Sequence, residues 1–435
     1  MKIAVSDTVK YIGVNDREID LFEGQYIVPN GMAYNSYVVF DEKIAVIDSV
    51  DARFSGIWLE NIAEELKGAS PDYLVVHHME PDHSGSIRAF MSAYPQTKIV
   101  ASARAFVMMK NFYGEDYSSR RVVVGDGDSL SLGGRSLSFF TAPMVHWPEV
   151  ILSYDSAEGI LFSADAFGKF GALDADEDWA CEARRYYIGI VGKYGGALQS
   201  VFAKLGGLNI QIICPLHGPV LTENLEYYFR LYNIWSTYAV EEDGIVIAYT
   251  SVYGNTKKAV ELLAEELEKN GCRKVVVNDL ARCDMAEAVE DAFRYGKLVL
   301  ATTTYNGGIF PYMREFIEHL TERNFSNREV AFIENGSWAP TASRIMKSML
   351  EKSKNLSYTA AGVRIMSALN EESTAQLMAL AAELNRECPA EQPEEIAGKK
   401  FICKICGYIH EGEELPSDFE CPICRQSAEF FEEVK

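Results

Sequence analysis

Between residues 77 and 83 the sequence reads His-His-Met-Glu-Pro-Asp-His, directly after the apolar run Tyr73-Leu74-Val75-Val76. His78, Glu80, Asp82 and His83 therefore put four potential metal ligands, in H-x-E-x-D-H spacing, on one loop at a strand end. So many imidazoles and carboxylates together are costly to bury unless a cation neutralises them. Three more candidates recur just past apolar runs: His146 in Ala-Pro-Met-Val-His-Trp, Asp165 in Leu-Phe-Ser-Ala-Asp and His217 in Ile-Cys-Pro-Leu-His-Gly. Alone, each would read as a turn or surface residue; beside the loop they read as companions, because strand-end loops converge on one rim of a sheet. The seven can hold two ions, with His78, Glu80 and His146 on one, Asp82, His83 and His217 on the other, and Asp165 bridging. An open, thiolate-free, carboxylate-rich pair suits iron redox chemistry, and zinc hydrolases are also binuclear. His77 has no place in this spacing and reads as a structural histidine.

A second constellation follows the apolar run at 245–250. Thr250-Ser251-Val252-Tyr253-Gly254-Asn255-Thr256 leads into a helical pattern, and hydroxyls with exposed N–H groups at a helix N-terminus make a phosphate site. The spacing is not that of a G-x-x-x-x-G-K-[ST] loop, which disfavours nucleoside triphosphate hydrolysis. Two further strand-end loops face the same rim. One contains Thr303, Thr304, Tyr305, Asn306, Gly307 and Gly308; the other contains Asn335, Gly336, Ser337 and Trp338. Glycine-rich backbone can approach a flat ring and Trp338 can stack on it, so FMN is the expected ligand. The three loops, in this order, resemble those of flavodoxin.

The third constellation is two C-x-x-C pairs, Cys403/Cys406 and Cys421/Cys424, within the last 33 residues. Paired knuckles at this spacing are a specific metal signal, for zinc or iron. Cys403-Lys404-Ile405-Cys406-Gly407-Tyr408 followed by Cys421-Pro422-Ile423-Cys424 resembles rubredoxin, which implies one iron carrying one electron. The sequence departs from that pattern at Arg425, where rubredoxins place glycine.

These motifs need three bodies to carry them, and 435 residues predict about three domains. Residues 1–243 show short apolar runs at 37–40, 44–47, 73–77, 98–101, 137–141, 151–154, 160–163 and 210–214, with a helix over 55–67; helices covering two sheets are expected. Residues 244–388 alternate strand and helix, with strands at 245–250, 274–278, 297–302, 329–334 and 363–367, a doubly wound five-strand parallel sheet. Residues 389–398 are rich in Pro and Glu and read as a linker. Residues 399–435 are too few for a core without a metal staple. Sixty-three acidic against 41 basic residues, a net charge of −22, argue against a nucleic-acid partner. No apolar run is long enough to span a membrane and the start has no signal-peptide pattern, so a cytoplasmic chain is expected.

The loop at 78–83 resembles the metallo-β-lactamase-like superfamily, whose hydrolases carry histidine where Glu80 stands. Glu80, with His146, Asp165 and His217, is the pattern of flavodiiron proteins, and the whole chain resembles one with a fused rubredoxin module. The resemblance implies an N-terminal αββα sandwich, two irons, FMN and a rubredoxin-type iron. It implies reduction of O2 to water, of NO to N2O, or both, with electrons passing from rubredoxin iron to FMN to the diiron site. An external NAD(P)H-dependent rubredoxin reductase or similar donor would feed it. A head-to-tail homodimer, or a dimer of such dimers, is also implied. The alternative is a binuclear zinc hydrolase with accessory redox modules.

Overall fold

The computed structural model describes residues 5–386, 399–403, 409–412, 414–417, 419 and 427–434. The chain divides into two compact units, Met1–Asn233 with Lys399–Lys435, and Ile234–Gly398.

The first unit carries two sheets. Six strands order as Val9–Tyr11, Tyr37–Val39, Ala45–Ile47, Tyr73–Val75, Lys98–Ala101 and Arg121–Val123, the first three antiparallel and the rest parallel. Five strands form the second: Ser129–Ser131, Ser136–Thr141, Ile151–Asp155, Ile160–Phe162 and Ile212–Cys214. The expected strands are all present. Val9–Tyr11, Arg121–Val123 and Ser129–Ser131 are additions to that pattern, because each is three residues long and mixes apolar with polar or charged positions. The sheets meet through Val39, Ile47, Val75 and Val100 on one side and Leu137, Phe139, Ile151 and Phe162 on the other. Helices lie outside, giving the αββα sandwich. Helix Ser55–Leu66 buries Trp58, Ile62 and Leu66 at four-residue spacing and ends at Lys67 in the left-handed region. The Trp58 indole N–H donates to Ser36 Oγ at 3.0 Å, which fixes that helix beside strand Tyr37–Val39.

The second unit is a doubly wound parallel sheet. Its strands order as Val275–Asp279, Glu242–Tyr249, Tyr295–Tyr305 and Glu329–Asn335, with the fifth position shared by Ser357–Tyr358 and Val363–Ile365. Helix Asn255–Lys269 buries Ala259, Val260, Leu263 and Leu267 and is closed by Asn270 and Gly271. Along the chain, helix Leu225–Ser236 precedes this unit, so the compact division falls inside a helix rather than near residue 243. Arg328 accounts for part of that. It is buried and donates to the carbonyls of Tyr238 at 2.8 Å and Ala239 at 3.0 Å, drawing the chain after the helix into the second unit.

The C-terminal segment forms a three-stranded antiparallel sheet, Ile409–Gly412, Lys399–Cys403 and Phe431–Val434. Cys403 ends its first strand, opposite Phe431. The linker at 389–398 and Cys406, Cys421, Cys424 and Arg425 lie outside the described residues.

Phe139 is fully buried at the centre of the inter-sheet core. Phe139→Ala is expected to destabilise the first unit by about 3–5 kcal/mol. Chemical denaturation followed by circular dichroism measures this; a loss below about 1 kcal/mol would mean the two sheets do not share that core.

Candidate metal centre and flavin cradle

Each sequence-predicted metal ligand of the first unit sits just past a strand. His78 follows strand Tyr73–Val75, and Glu80 is the residue before the short helix Pro81–Ser84, which carries Asp82 and His83. His146 follows Ser136–Thr141, Asp165 follows Ile160–Phe162, and His217 follows Ile212–Cys214. The convergence expected of strand-end loops brings the seven into two adjoining groups, His78/Glu80/His146/Asp165 and Asp82/His83/His217.

In the first group the His146 Nε2–Glu80 Oε2 distance is 2.9 Å, and His78 Nε2 lies 3.3 Å from both. Asp165 Oδ2 is 3.3 Å from His78 Nε2 and from His146 Nε2. In the second group Asp82 Oδ2 is 3.2 Å from His83 Nε2 and 3.3 Å from His217 Nε2, and the two nitrogens are 3.0 Å apart. The other oxygen, Asp165 Oδ1, is 3.4 Å from His83 Nε2 and 3.7 Å from His217 Nε2. Asp165 thus turns one oxygen to each group.

These separations are the edges of a coordination polyhedron. Bonds of about 2.0–2.2 Å to a first-row metal put adjacent ligand atoms ~3.0–3.5 Å apart. The 3.0 Å between the Nε2 atoms of His83 and His217 suits a hydrogen bond when one ring carries the proton and two ligands of one cation when neither does. Both oxygens of Asp82 and both of Asp165 are buried with no hydrogen-bond partner, as acceptors awaiting a cation would be. Each group combines two imidazoles with its own carboxylate and a share of Asp165, a donor set that fits non-haem iron.

Without a cation the cluster must neutralise itself. Burial opposes charge on His78, but Asp165, Glu149 and Glu80 outweigh it and hold the imidazole pKa well above its usual range. His146 is carried to about 9 in the same way, against burial, by Asp165 and Glu80. Burial works against the Asp165 carboxylate, yet His78, His146 and His83 keep its pKa well below the ordinary value. A metal would replace these protons, so binding releases them.

Several residues that the sequence did not single out complete the site. Glu149 Oε1 accepts from His78 Nδ1 at 2.8 Å and from the Met79 N–H at 2.9 Å, which leaves Nε2 of His78 to face the centre. The Ala33 carbonyl does the same for His217, accepting from Nδ1 at 2.7 Å. Asn35 Nδ2 donates to the carbonyls of Pro215 (2.9 Å) and Gly218 (2.7 Å), holding the His217 loop from both sides. Gly218 adopts φ 73°, and a Cβ there would meet Lys169 Cγ at 2.7 Å. Glu23, at the tip of hairpin Leu21–Phe22/Tyr26–Ile27, shares a hydrogen bond with Glu80; burial and that neighbour push its pKa up to about 7. The only local hint of these in the sequence is Glu149, three residues beyond His146. His77 lies outside the groups: Asp48 Oδ2 is 2.6 Å from its Nδ1 and Ser153 Oγ 2.8 Å from its Nε2, the structural role expected.

In the second unit, the order of the strands makes a switch point between Glu242–Tyr249 and Tyr295–Tyr305, where ligands of such sheets bind. The loops at 250–256 and 302–308 both leave from it. Gly254, at φ 87°, caps helix Asn255–Lys269, and Ser251 Oγ accepts from the N–H groups of Gly254 (3.1 Å) and Lys257 (3.3 Å). Thr250 and Thr302 hydroxyls are 2.6 Å apart, tying two of the loops together. Asn335 Nδ2 donates to Thr256 Oγ1 and the Ser367 carbonyl, both at 3.3 Å, bringing in the third loop and a fourth that the sequence does not announce. Thr303 and Thr341 hydroxyl oxygens are buried without a partner. Tyr253 and Trp338 are 92% and 81% exposed, large rings left in solvent at the loop tips. Unmet hydroxyls beneath and bare aromatics above suit a flat, phosphorylated ligand such as FMN.

Comparison with known proteins gives three family matches along the chain. Residues 32–218 match the family described as ODP family beta lactamase, residues 246–369 the flavodoxin domain, and residues 401–432 the rubredoxin-like domain of rubrerythrin. The chain is 28% identical to the anaerobic nitric oxide reductase flavorubredoxin of Salmonella paratyphi A, over 99% of this chain and 98% of that one. It is 27% identical to the same-named protein of Escherichia coli K12, over 100% and 99%. Among solved structures it resembles rubredoxin oxygen:oxidoreductase of Desulfovibrio gigas, at 26% identity and TM-score 0.82, covering 89% of this chain and 98% of that one. The flavodiiron protein of Giardia intestinalis shares the fold at 23% identity and TM-score 0.82, covering 88% and 96%. With β-lactamase-like, flavodoxin and rubredoxin-like matches in this order, the chain is an oxidoreductase that resembles flavorubredoxins and flavodiiron proteins along its length.

Proposed function

We propose that the chain reduces O2 to water, NO to N2O, or both, at a diiron centre held by His78, Glu80, Asp82, His83, His146, Asp165 and His217. The observation that carries the reading is Asp165, with one oxygen toward each group of donors. The 250–256, 303–308 and 335–338 loops would hold FMN, and Cys403, Cys406, Cys421 and Cys424 would hold one iron; with the iron pair these groups would supply the electrons for reduction of a diatomic gas. The relatives support both gases, one by a name that specifies nitric oxide and one by a name that specifies oxygen.

The chain's own residues supply positioning. Glu149 and the Ala33 carbonyl fix two imidazoles in the tautomer that turns Nε2 inward. Glu23, pushed up to about 7 by burial and by Glu80, can hold a proton at the edge of the first group. Electrons are proposed to enter through residues 399–435, from an external NAD(P)H-dependent reductase or similar donor, across a linker at 389–398. The domains are proposed as 1–243, 244–388 and 399–435. The working state is proposed as a head-to-tail homodimer or a dimer of such dimers, in the cytoplasm. Among the described residues no helix is long and apolar enough to cross a membrane.

Consumption of each gas under one reductant, followed by gas-selective electrodes, tests the reading directly; a fully loaded protein that consumes neither gas would sink it. Asp165→Ala is expected to lose both irons of the pair, whereas His217→Ala mainly weakens one, with FMN content unchanged in both. Metal analysis and flavin absorbance check this, and an Asp165→Ala protein that keeps both irons would contradict the ligand assignment. Glu149→Ala frees the His78 ring and is expected to lower iron affinity of the first group by about 10–100-fold while sparing the second. Competition with a chelator separates that outcome from equal loss at both. Removing residues after 388 should leave a protein driven by a chemical reductant of FMN but not by the reductase; equal rates with the reductase would take the C-terminal module out of the route.

A further inference from the structure

Phenols and an indole pack behind the loop that carries Asp165. Tyr232, on helix Leu225–Ser236, is fully buried. Its ring stacks on Phe167, two residues past Asp165, at 4.5 Å between centroids, and the Asp165 charge acts on its phenol. Tyr187 packs on it at 5.2 Å, and neighbouring Tyr186 packs on His217 at 5.4 Å. Outward from Tyr232 lies Trp179, at 6.4 Å, the first residue of helix Trp179–Tyr186. Trp179 in turn meets Tyr228 edge-on at 4.6 Å. Tyr228 and Tyr232 are one turn apart on the same helix, so Trp179 spans them from a second helix. Tyr228 is partly exposed. The inter-sheet core of the same unit is built mostly of Val, Leu, Ile and Phe. Tyrosine and tryptophan are the side chains that can lose an electron to a strong oxidant without breaking a bond in the chain.

We propose that Tyr232, Trp179 and Tyr228 form a relay that carries oxidising equivalents from the metal centre to the protein surface. The proposal rests on O2 being a substrate of that centre. Full reduction of O2 to water takes four electrons, and a turnover that begins with one too few needs one more. Tyr228 supplies it. The electron moves inward through Trp179 and Tyr232, each oxidised and then restored. The phenolic proton of Tyr228 passes to water. The phenoxyl left on Tyr228 takes one electron and one proton from a thiol in solution, which becomes a thiyl radical. Ring centroids 4.6 and 6.4 Å apart make each hop short, and the damage ends on a residue that solvent reductants reach.

The experiment loads the full chain with iron and FMN, reduces it with fewer than four electron equivalents, mixes it with O2 and freeze-quenches it. Phenoxyl and indolyl radicals are read by electron paramagnetic resonance, and oxygenated products by peptide mass spectrometry. Radical and products are expected on Tyr228 and Trp179. Trp179→Phe keeps the packing and should remove them from Tyr228, shift oxidation to the peptides around the metal centre, and cut the turnovers before inactivation severalfold. The rate under excess reductant should not change. Unchanged products and unchanged inactivation in Trp179→Phe would overturn the relay. A second arm needs no metal. In the metal-free protein carrying Trp338→Phe and Tyr253→Phe, which removes the two most exposed competing rings, flash oxidation by a ruthenium tris-bipyridyl photo-oxidant should give an indolyl signal, diminished severalfold in Trp179→Phe, that converts to phenoxyl and does so severalfold more slowly in Tyr228→Phe. Identical conversion in that variant would also overturn the relay. If the loaded chain consumes no O2, the oxygen arm of the functional reading fails, and this second arm still decides whether the rings conduct.

Discussion

Moving a carboxylate from water into an apolar interior costs on the order of 20 kcal/mol in the idealised Born limit, and still several after relaxation. Asp165 is 1% exposed, and four imidazole nitrogens stand within 3.7 Å of its two oxygens. Neither oxygen makes a hydrogen bond. The charge can stay only if positive charge is brought to it from both sides, by protons on the imidazoles or by cations between the donors. Much of the first unit follows from that need. Loops from separate strand ends must deliver side chains to one point, and a sandwich whose strands end along a common rim can do so.

Delivery at that accuracy distorts the backbone locally. Met144, Ala164 and Phe167, beside His146 and Asp165, all have positive φ without being glycine, at 67°, 51° and 67°. Such residues cost of order 1–3 kcal/mol each and persist where surrounding contacts over-determine them. Those contacts are visible. The Met144 N–H donates to the Trp147 carbonyl and the Leu216 N–H to the Ala164 carbonyl, both at 2.9 Å, and the Ser163 hydroxyl donates to the Ala166 carbonyl, next to Phe167, at 2.7 Å. The strain is thus confined to loops, while the strands behind them keep regular register and an apolar core.

What is legible in the sequence is whatever several neighbouring residues repeat. The 78–83 loop holds four donors in six positions, and the flavin loops each follow a strong apolar strand, so residue types and spacing suffice to place both. His146, Asp165 and His217 are legible only through that loop. What is not legible acts singly and across long separations. Asn35 holds a loop some 180 positions away. Ala33 contributes only a carbonyl, which no side-chain pattern encodes. Glu23 reaches the site from a hairpin of two-residue strands, too short to carry periodicity. Glu149 is within reach of sequence reasoning, because a carboxylate three residues past a candidate ligand is a common way to orient an imidazole elsewhere in the site. The split fifth strand of the flavodoxin-like sheet is hidden for a different reason: 357–358 and 363–365 pair with opposite ends of one strand, and each is too short to announce itself.

The two candidate cofactor sites are opposite solutions to access. At the flavin cradle Tyr253 and Trp338 lie almost wholly in solvent, so a ring stacked there stays open to exchange electrons through its face or edge. At the metal centre the imidazoles of His78, His83 and His217 are at most 1% exposed, and the open edge is carried by Glu80 at 15% and His146 at 8%. Phe22, Tyr34 and Tyr186 close around His217 at ring distances of 5.4–6.1 Å. A hydrolase needs room for a carbonyl or phosphoryl compound and its leaving group beside the metals. A centre walled this closely favours reactants of two atoms, which need no pocket for a leaving group. Restricted access and a carboxylate-rich donor set therefore point the same way, and the chemistry of the site by itself favours reduction of a small gas over hydrolysis.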